Sequence, residues 1–119
     1  VIIVGHTRCG GVEVCLRAAA NDTDAFPEDG PDAPVNWWLQ LLVQIATEIQ
    51  VPNGMDCTNV VTEESVKVQV NNICNSEMIK AAWVASDPAT RGIYIHGWVY
   101  SMHTQMLKDL EISRSPPKI

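Results

Sequence analysis

Val1-Ile2-Ile3-Val4-Gly5-His6-Thr7-Arg8-Cys9-Gly10-Gly11-Val12 is an apolar run that leads directly into a His, a Cys and two glycines. Four consecutive β-branched residues stopped by Gly5 predict a strand buried on both faces, as in the middle of a parallel sheet. Such a strand requires a neighbour on each side. Because it opens at residue 1, the expectation is that whatever normally precedes it is missing or is supplied from elsewhere. Val12, Val14, Cys15, Leu16, Ala18, Ala19 and Ala20 then predict a helix from around Gly10 to near Asn21. His6 and Cys9 therefore fall in the turn at the C-terminal end of a strand, where open α/β sheets bind their ligands. His-x-x-Cys supplies one imidazole and one thiolate, a donor pair that suits zinc. The backbone N–H groups of Gly10 and Gly11, at the helix start and without side chains, can receive an anion.

The composition supports a single domain over residues 1–119, with residues 113–119 as a tail. At 46% hydrophobic and 18% charged, the chain holds enough apolar material for a core. A formal net charge of −6 and scattered basic residues argue against a nucleic-acid or anionic-membrane partner. No apolar run approaches the roughly 18 residues that span a bilayer, and no leader sequence opens the chain, so a cytoplasmic location is expected. Cys9, Cys15, Cys57 and Cys74 match neither a disulfide scaffold nor a CxxC zinc ribbon, and reduced thiols are expected. Cys15 and Cys74 fall on packed helix faces, and Cys57 falls in a connection as the exposed thiol.

Residues 21–34 are rich in Asp, Pro and Gly and predict a mobile acidic loop. Asn21-Asp22-Thr23 matches a glycosylation sequon, but an ordinary polar loop accounts for it. Val35 to Ile49 is apolar nearly all round and predicts a buried helix with Asn36 as its N-cap. Its Trp37 and Trp38 are expected to pack on the core or on a second subunit. Thr62-Glu63-Glu64-Ser65 predicts the start of a long helix, with acidic residues favouring its first turn. Val66, Val70, Ile73, Cys74, Met78, Ala81 and Ala82 form its apolar stripe toward Ala85, with a break near Asn75-Ser76, and Asp87-Pro88 ends it. Arg91 to Met102 alternates as a strand in which Gly97 marks a bulge or close packing. His103-Thr104-Gln105 turns into a second strand, Met106 to Ile112.

In this context the chain resembles the β-class carbonic anhydrases, especially their fungal members. Gly5-His6-Thr7-Arg8-Cys9-Gly10-Gly11-Val12 is similar to the family's strand-end segment with two of its three protein zinc ligands. Asn36-Trp37-Trp38-Leu39 resembles its Asn-Trp-Leu helix. Glu64-Ser65-Val66 with Val70-Asn71-Asn72-Ile73, and Met78-Ile79-Lys80-Ala81-Ala82-Trp83, resemble its long helix pair. Ile95-His96-Gly97-Trp98-Val99-Tyr100 with Leu107-Lys108-Asp109-Leu110 resembles its closing hairpin.

The resemblance implies an α/β fold: a short, mostly parallel sheet, flanking helices and an antiparallel C-terminal strand. It implies His6 and Cys9 as zinc ligands, Gly10 and Gly11 on the anion side, and the reversible hydration of carbon dioxide to bicarbonate. It also implies a homodimer or higher oligomer. His96 and His103 fall in the closing hairpin, away from the implied metal, and Arg8 matches no catalytic position. The family's Cys-x-Asp-x-Arg segment, with the remaining Cys ligand and an Asp-Arg pair, occurs nowhere in these 119 residues. No catalytic residue is therefore assigned, and the chain is expected to be a C-terminal portion, impaired by itself. Two alternatives belong to other classes. One is a non-catalytic dimer in which two His6/Cys9 pairs meet, with or without metal. The other is a metal-free binding module that uses Trp37 and Trp38.

Overall fold

The computed structural model describes residues 1–22, 24–25 and 33–118. Its elements run β1 (Ile2–His6), α1 (Gly10–Ala19), α2 (Pro34–Trp38), α3 (Gln40–Glu48), α4 (Cys57–Asn75), α5 (Glu77–Trp83), α6 (Pro88–Arg91), β2 (His96–Tyr100) and β3 (Leu107–Asp109). They divide into two compact units, residues 1–5 with 66–119, and residues 6–65.

The first unit is a three-stranded sheet in the order β1-β2-β3. Val1 donates to the Tyr94 carbonyl at 2.7 Å and accepts from the His96 N–H at 2.9 Å. One residue bonding to both neighbours of the residue opposite is the parallel pattern. β2 and β3 pair antiparallel, with Trp98 opposite Asp109 and Tyr100 opposite Leu107. Their connection closes through Ser101 N–H to the Met106 carbonyl, with Gln105 in the left-handed region at φ 57°. The expected short sheet is thus present, with a parallel β1–β2 pair and the expected antiparallel final strand. Arg114 continues the pairing beyond β3 in an isolated antiparallel bridge to Ile95.

One face of this sheet carries the core of Val66, Val70, Ile79, Ile95 and Val99, against which Ile3, Ile73, Cys74, Trp83, Leu110 and Ile112 pack. β1 is not buried on both faces as its sequence predicts. Ile3 meets the core, whereas Ile2 and Val4 remain 46% and 51% exposed. Among the described residues β1 has β2 as its one strand neighbour, and the face that carries Ile2 and Val4 is exposed. Gly97 is a close-packing glycine: a Cβ there would fall 2.6 Å from Ile112 Cδ1 and 3.1 Å from Val66 Cγ1.

The break near Asn75-Ser76 is real. The Ser76 hydroxyl caps α5 by accepting from Ile79 N–H, and it donates to the Ile73 carbonyl at 2.7 Å. That restart shifts the buried face, so Ile79 enters the core and Met78, expected in the stripe, is 82% exposed. α4 also begins earlier than its acidic run predicts. The Asp56 carboxylate accepts from Asn59 N–H, which places the cap ahead of Cys57. Thr62 is instead a buried mid-helix residue bonded to the Thr58 carbonyl. The helix ends at Trp83, and Asp87 caps the short α6 by accepting from Thr90 N–H.

In the second unit α1 packs on α3, with Val12, Cys15 and Ile45 buried. The expected single helix from Val35 is divided at Leu39 into α2 and α3. Ala33, not Asn36, is the N-cap, and Asn36 is a fully buried residue inside α2. Trp37 and Trp38 do not join the core: they are 74% and 78% exposed. Of the acidic loop, residues 23 and 26–32, including Thr23 of the sequon, lie outside the described residues. Its described start is tied down by an Arg17–Asp22 ion pair at 2.8 Å. Among the described residues no helix is long and apolar enough to cross a membrane.

Candidate functional site

The turn between β1 and α1 carries the His and Cys together because three residues suffice to convert strand to helix. Arg8 makes this possible by adopting φ 54°, a left-handed conformation that costs an L-residue roughly 1–2 kcal/mol and reverses the chain sharply. Nothing in the sequence marks Arg8 for that role, since Gly or Asn would be the usual occupant. Its side chain is exposed.

His6 ends β1 exposed, with its Nδ1 2.9 Å from the Thr7 carbonyl oxygen. A carbonyl only accepts, so in the neutral ring the proton is on Nδ1 and the lone pair is on Nε2. That arrangement is the one metal-ligating histidines use, with the second nitrogen held by a backbone acceptor. Sequence reasoning did not find Thr7, because any residue presents a carbonyl.

Cys9 is the N-cap of α1, extended at φ −79° and ψ 115°, and its side chain makes no capping hydrogen bond. Its half-buried thiol sits near Gly11, where a Cβ would lie 3.7 Å from Cys9 Sγ and 3.7 Å from Leu39 Cδ2, an ordinary contact. A Cβ at Gly10 would meet nothing within 4 Å. Packing therefore does not demand glycine at position 10. The first N–H groups of any helix lack partners within it, and the helix dipole favours negative charge beside them.

The remaining cysteines divide as their positions predict. Cys15 is fully buried, with its Sγ 3.8 Å from the Leu39 carbonyl, and burial, helped by Cys9, pushes its thiol from about 9 up to about 11. Burial also raises the Cys74 thiol, which Arg114 partly offsets. Cys57 is exposed, although at the first turn of α4 rather than in a loop. Among the described residues no three His, Cys, Asp or Glu side chains are grouped to hold a metal, and His6 and Cys9 are two residues of donor type in one turn. Their types, an imidazole with its Nε2 lone pair available and a thiol not spent on capping, fit zinc as part of a set. His96 is occupied otherwise: Nδ1 is 2.8 Å from Ser113 Oγ, and the ring stacks on Tyr94 and lies against Trp98. His103 is exposed in the β2–β3 turn.

A parallel strand ending in His-x-x-Cys and followed by a glycine-started helix defines an α/β domain with a metal-type turn at the strand end. The family model described as carbonic anhydrase matches residues 1–107, and the chain belongs to that family, in its β class. Its fold is similar to the β-carbonic anhydrase of Coccomyxa, solved in complex with acetazolamide. That match has a TM-score of 0.67 and 24% identity, over 92% of this chain and 45% of the other. It is also similar to one of two tetrameric β-carbonic anhydrases from the filamentous ascomycete Sordaria macrospora. Here the TM-score is 0.68 at 21% identity, over 96% of this chain and 53% of the other. The chain thus spans about half the length of these solved relatives.

Proposed function

We propose that this chain is the ligand-bearing half of a zinc lyase that interconverts carbon dioxide and bicarbonate, with His6 and Cys9 as two of the protein donors. The observation that carries this reading is the His6–Thr7 contact, which leaves the lone pair on Nε2, three residues before Cys9 in the same turn. Zinc, when bound, supplies Lewis acidity that lets water act as a nucleophile near neutral pH. The chain's own residues have defined tasks. Thr7 holds the His6 ring in one tautomer, Cys9 contributes negative charge at the start of α1, and the N–H groups of Gly10 and Gly11 receive the anionic product. The unhindered approach at Gly10 suits that last role.

The family's remaining thiolate and Asp-Arg pair are not found in these 119 residues, and we assign them to another segment. The relatives from Sordaria are tetrameric, and a homo-oligomer is the expected assembly here. The test is equilibrium zinc binding and carbon dioxide hydration by the 119-residue chain, then by the chain joined to a segment bearing Cys-x-Asp-x-Arg. Weak zinc and low activity that both rise with the added segment support the proposal. Full activity without it overturns the division of ligands.

The exposed Ile2 and Val4 favour a second reading, a non-catalytic dimer joined through β1 that brings two His6/Cys9 pairs together. Native mass separates the two: one zinc per dimer supports it, and a metal-free monomer removes it.

A further inference from the structure

The segment Ser113-Arg114-Ser115-Pro116-Pro117-Lys118 takes no part in the site above, yet it is pinned. Ile95 N–H donates to the Arg114 carbonyl at 3.0 Å, and Arg114 N–H donates to the Ile95 carbonyl at 2.8 Å. Ile95 is fully buried, so this bridge anchors the segment to the sheet of its own unit. Pairing then has to stop, because Pro116 and Pro117 carry no amide hydrogen. Pro116 also disfavours helical backbone at the residue before it. Ser115 is consequently an exposed serine in non-helical backbone, one residue beyond a fixed point. It has proline at +1, a cation at +3 in Lys118 and another at −1 in Arg114. No other Ser-Pro or Thr-Pro pair occurs in the chain.

We propose that Ser115 is a phosphorylation site for a proline-directed serine kinase using ATP. Protein kinases act chiefly by positioning the acceptor hydroxyl. From Ser115 to Lys118 the backbone is neither helix nor strand, so the acceptor and the residues after it are available to such a site while the Ile95–Arg114 bridge stays in place. Proline at +1 suits a closed pocket because it brings no N–H that would lose its water partner on burial. Lys118 offers a charge to an acidic group on the enzyme. In the reaction the Ser115 Oγ forms a bond to the γ-phosphorus of ATP, and the bond from that phosphorus to the β–γ bridging oxygen breaks. ADP leaves, and the hydroxyl proton passes to the kinase's carboxylate. The new phosphate directly follows Arg114 and precedes Lys118 by three residues in sequence, and it takes the formal net charge from −6 to about −8.

The test incubates the full 119-residue chain with ATP, magnesium and a cyclin-dependent kinase, followed by isoelectric focusing and fragment mass spectrometry. One phosphate per chain on Ser115 is expected, with a single acidic shift that Ser115→Ala abolishes. Pro116→Ala and Lys118→Ala should each slow incorporation by about tenfold, the effect of one lost charge-assisted or pocket interaction, with unchanged circular dichroism. Three results would overturn the proposal: no incorporation, incorporation in Ser115→Ala at the original rate, or phosphorylation of a peptide of residues 110–118 but not of the folded chain.

Discussion

The Nδ1 of His6 lies 2.9 Å from the carbonyl oxygen of Thr7, the residue immediately after it. The contact fixes which ring nitrogen keeps a lone pair, and it ties the imidazole to the backbone of the turn that carries Cys9. The imidazole is thus held in one tautomer by local chain geometry.

Metal binding should therefore depend on two residues and be indifferent to the other thiols. With cobalt as a spectroscopic substitute for zinc, Cys9→Ser is expected to remove the thiolate charge-transfer band, and His6→Ala to weaken binding by more than tenfold. The comparison is the 10–100-fold typically lost when an outer partner of a ligand is removed. Cys57→Ser and Cys74→Ser should leave the band unchanged. A band that survives Cys9→Ser would transfer the site elsewhere.

The thiols should react in the order of their burial. Cys57 is exposed and should be alkylated first in the folded protein, whereas Cys15, raised to about 11, should react last. The same shift makes stability depend on alkaline pH. The folded state holds the Cys15 proton more tightly than the unfolded chain, whose thiol titrates near 9. Stability is therefore full below about pH 9 and falls between about 9 and 11. Urea midpoints measured across that range should decline, and Cys15→Ala should flatten the decline while lowering stability at every pH.

Gly97→Ala should destabilise the sheet unit by about 1–3 kcal/mol. The added methyl meets Ile112 at two atoms and Val66 on α4, so no single side-chain rotation clears it. Chemical denaturation with a fluorescence readout checks this, and an unchanged midpoint would show that Ile112 moves freely.

Ser76→Ala should cost about 0.5–2 kcal/mol, because it removes the α5 cap and the bond to the Ile73 carbonyl together. Ser76→Asp should restore part of the loss, since aspartate caps equally well. Thermal unfolding of the three proteins provides the comparison.

Much of the fold was legible because the signals are local. The β-branched run ending at Gly5, the helix after Gly11, the break at Ser76 and the turn at His103 to Gln105 each follow from neighbouring residues alone. The errors share one cause. Asn36 and Thr62 have the chemistry of caps, but both are buried within helices whose starts were taken by Ala33 and Asp56. Met78 continued a regular stripe in sequence, and the restart at Ser76 rotated it out to solvent.

The sequence by itself determined most of the elements and the family, because periodicity, turn residues and motif spacing are encoded within a few residues of one another. Tertiary structure decided what those residues do. It selected the Nδ1 proton of His6 through a carbonyl that every residue carries, and it demanded a left-handed Arg8 where no glycine stands. It left one side of β1 exposed and anchored Arg114 to a buried Ile95. Each of these depends on which backbone groups meet in space, and side-chain pattern does not record that.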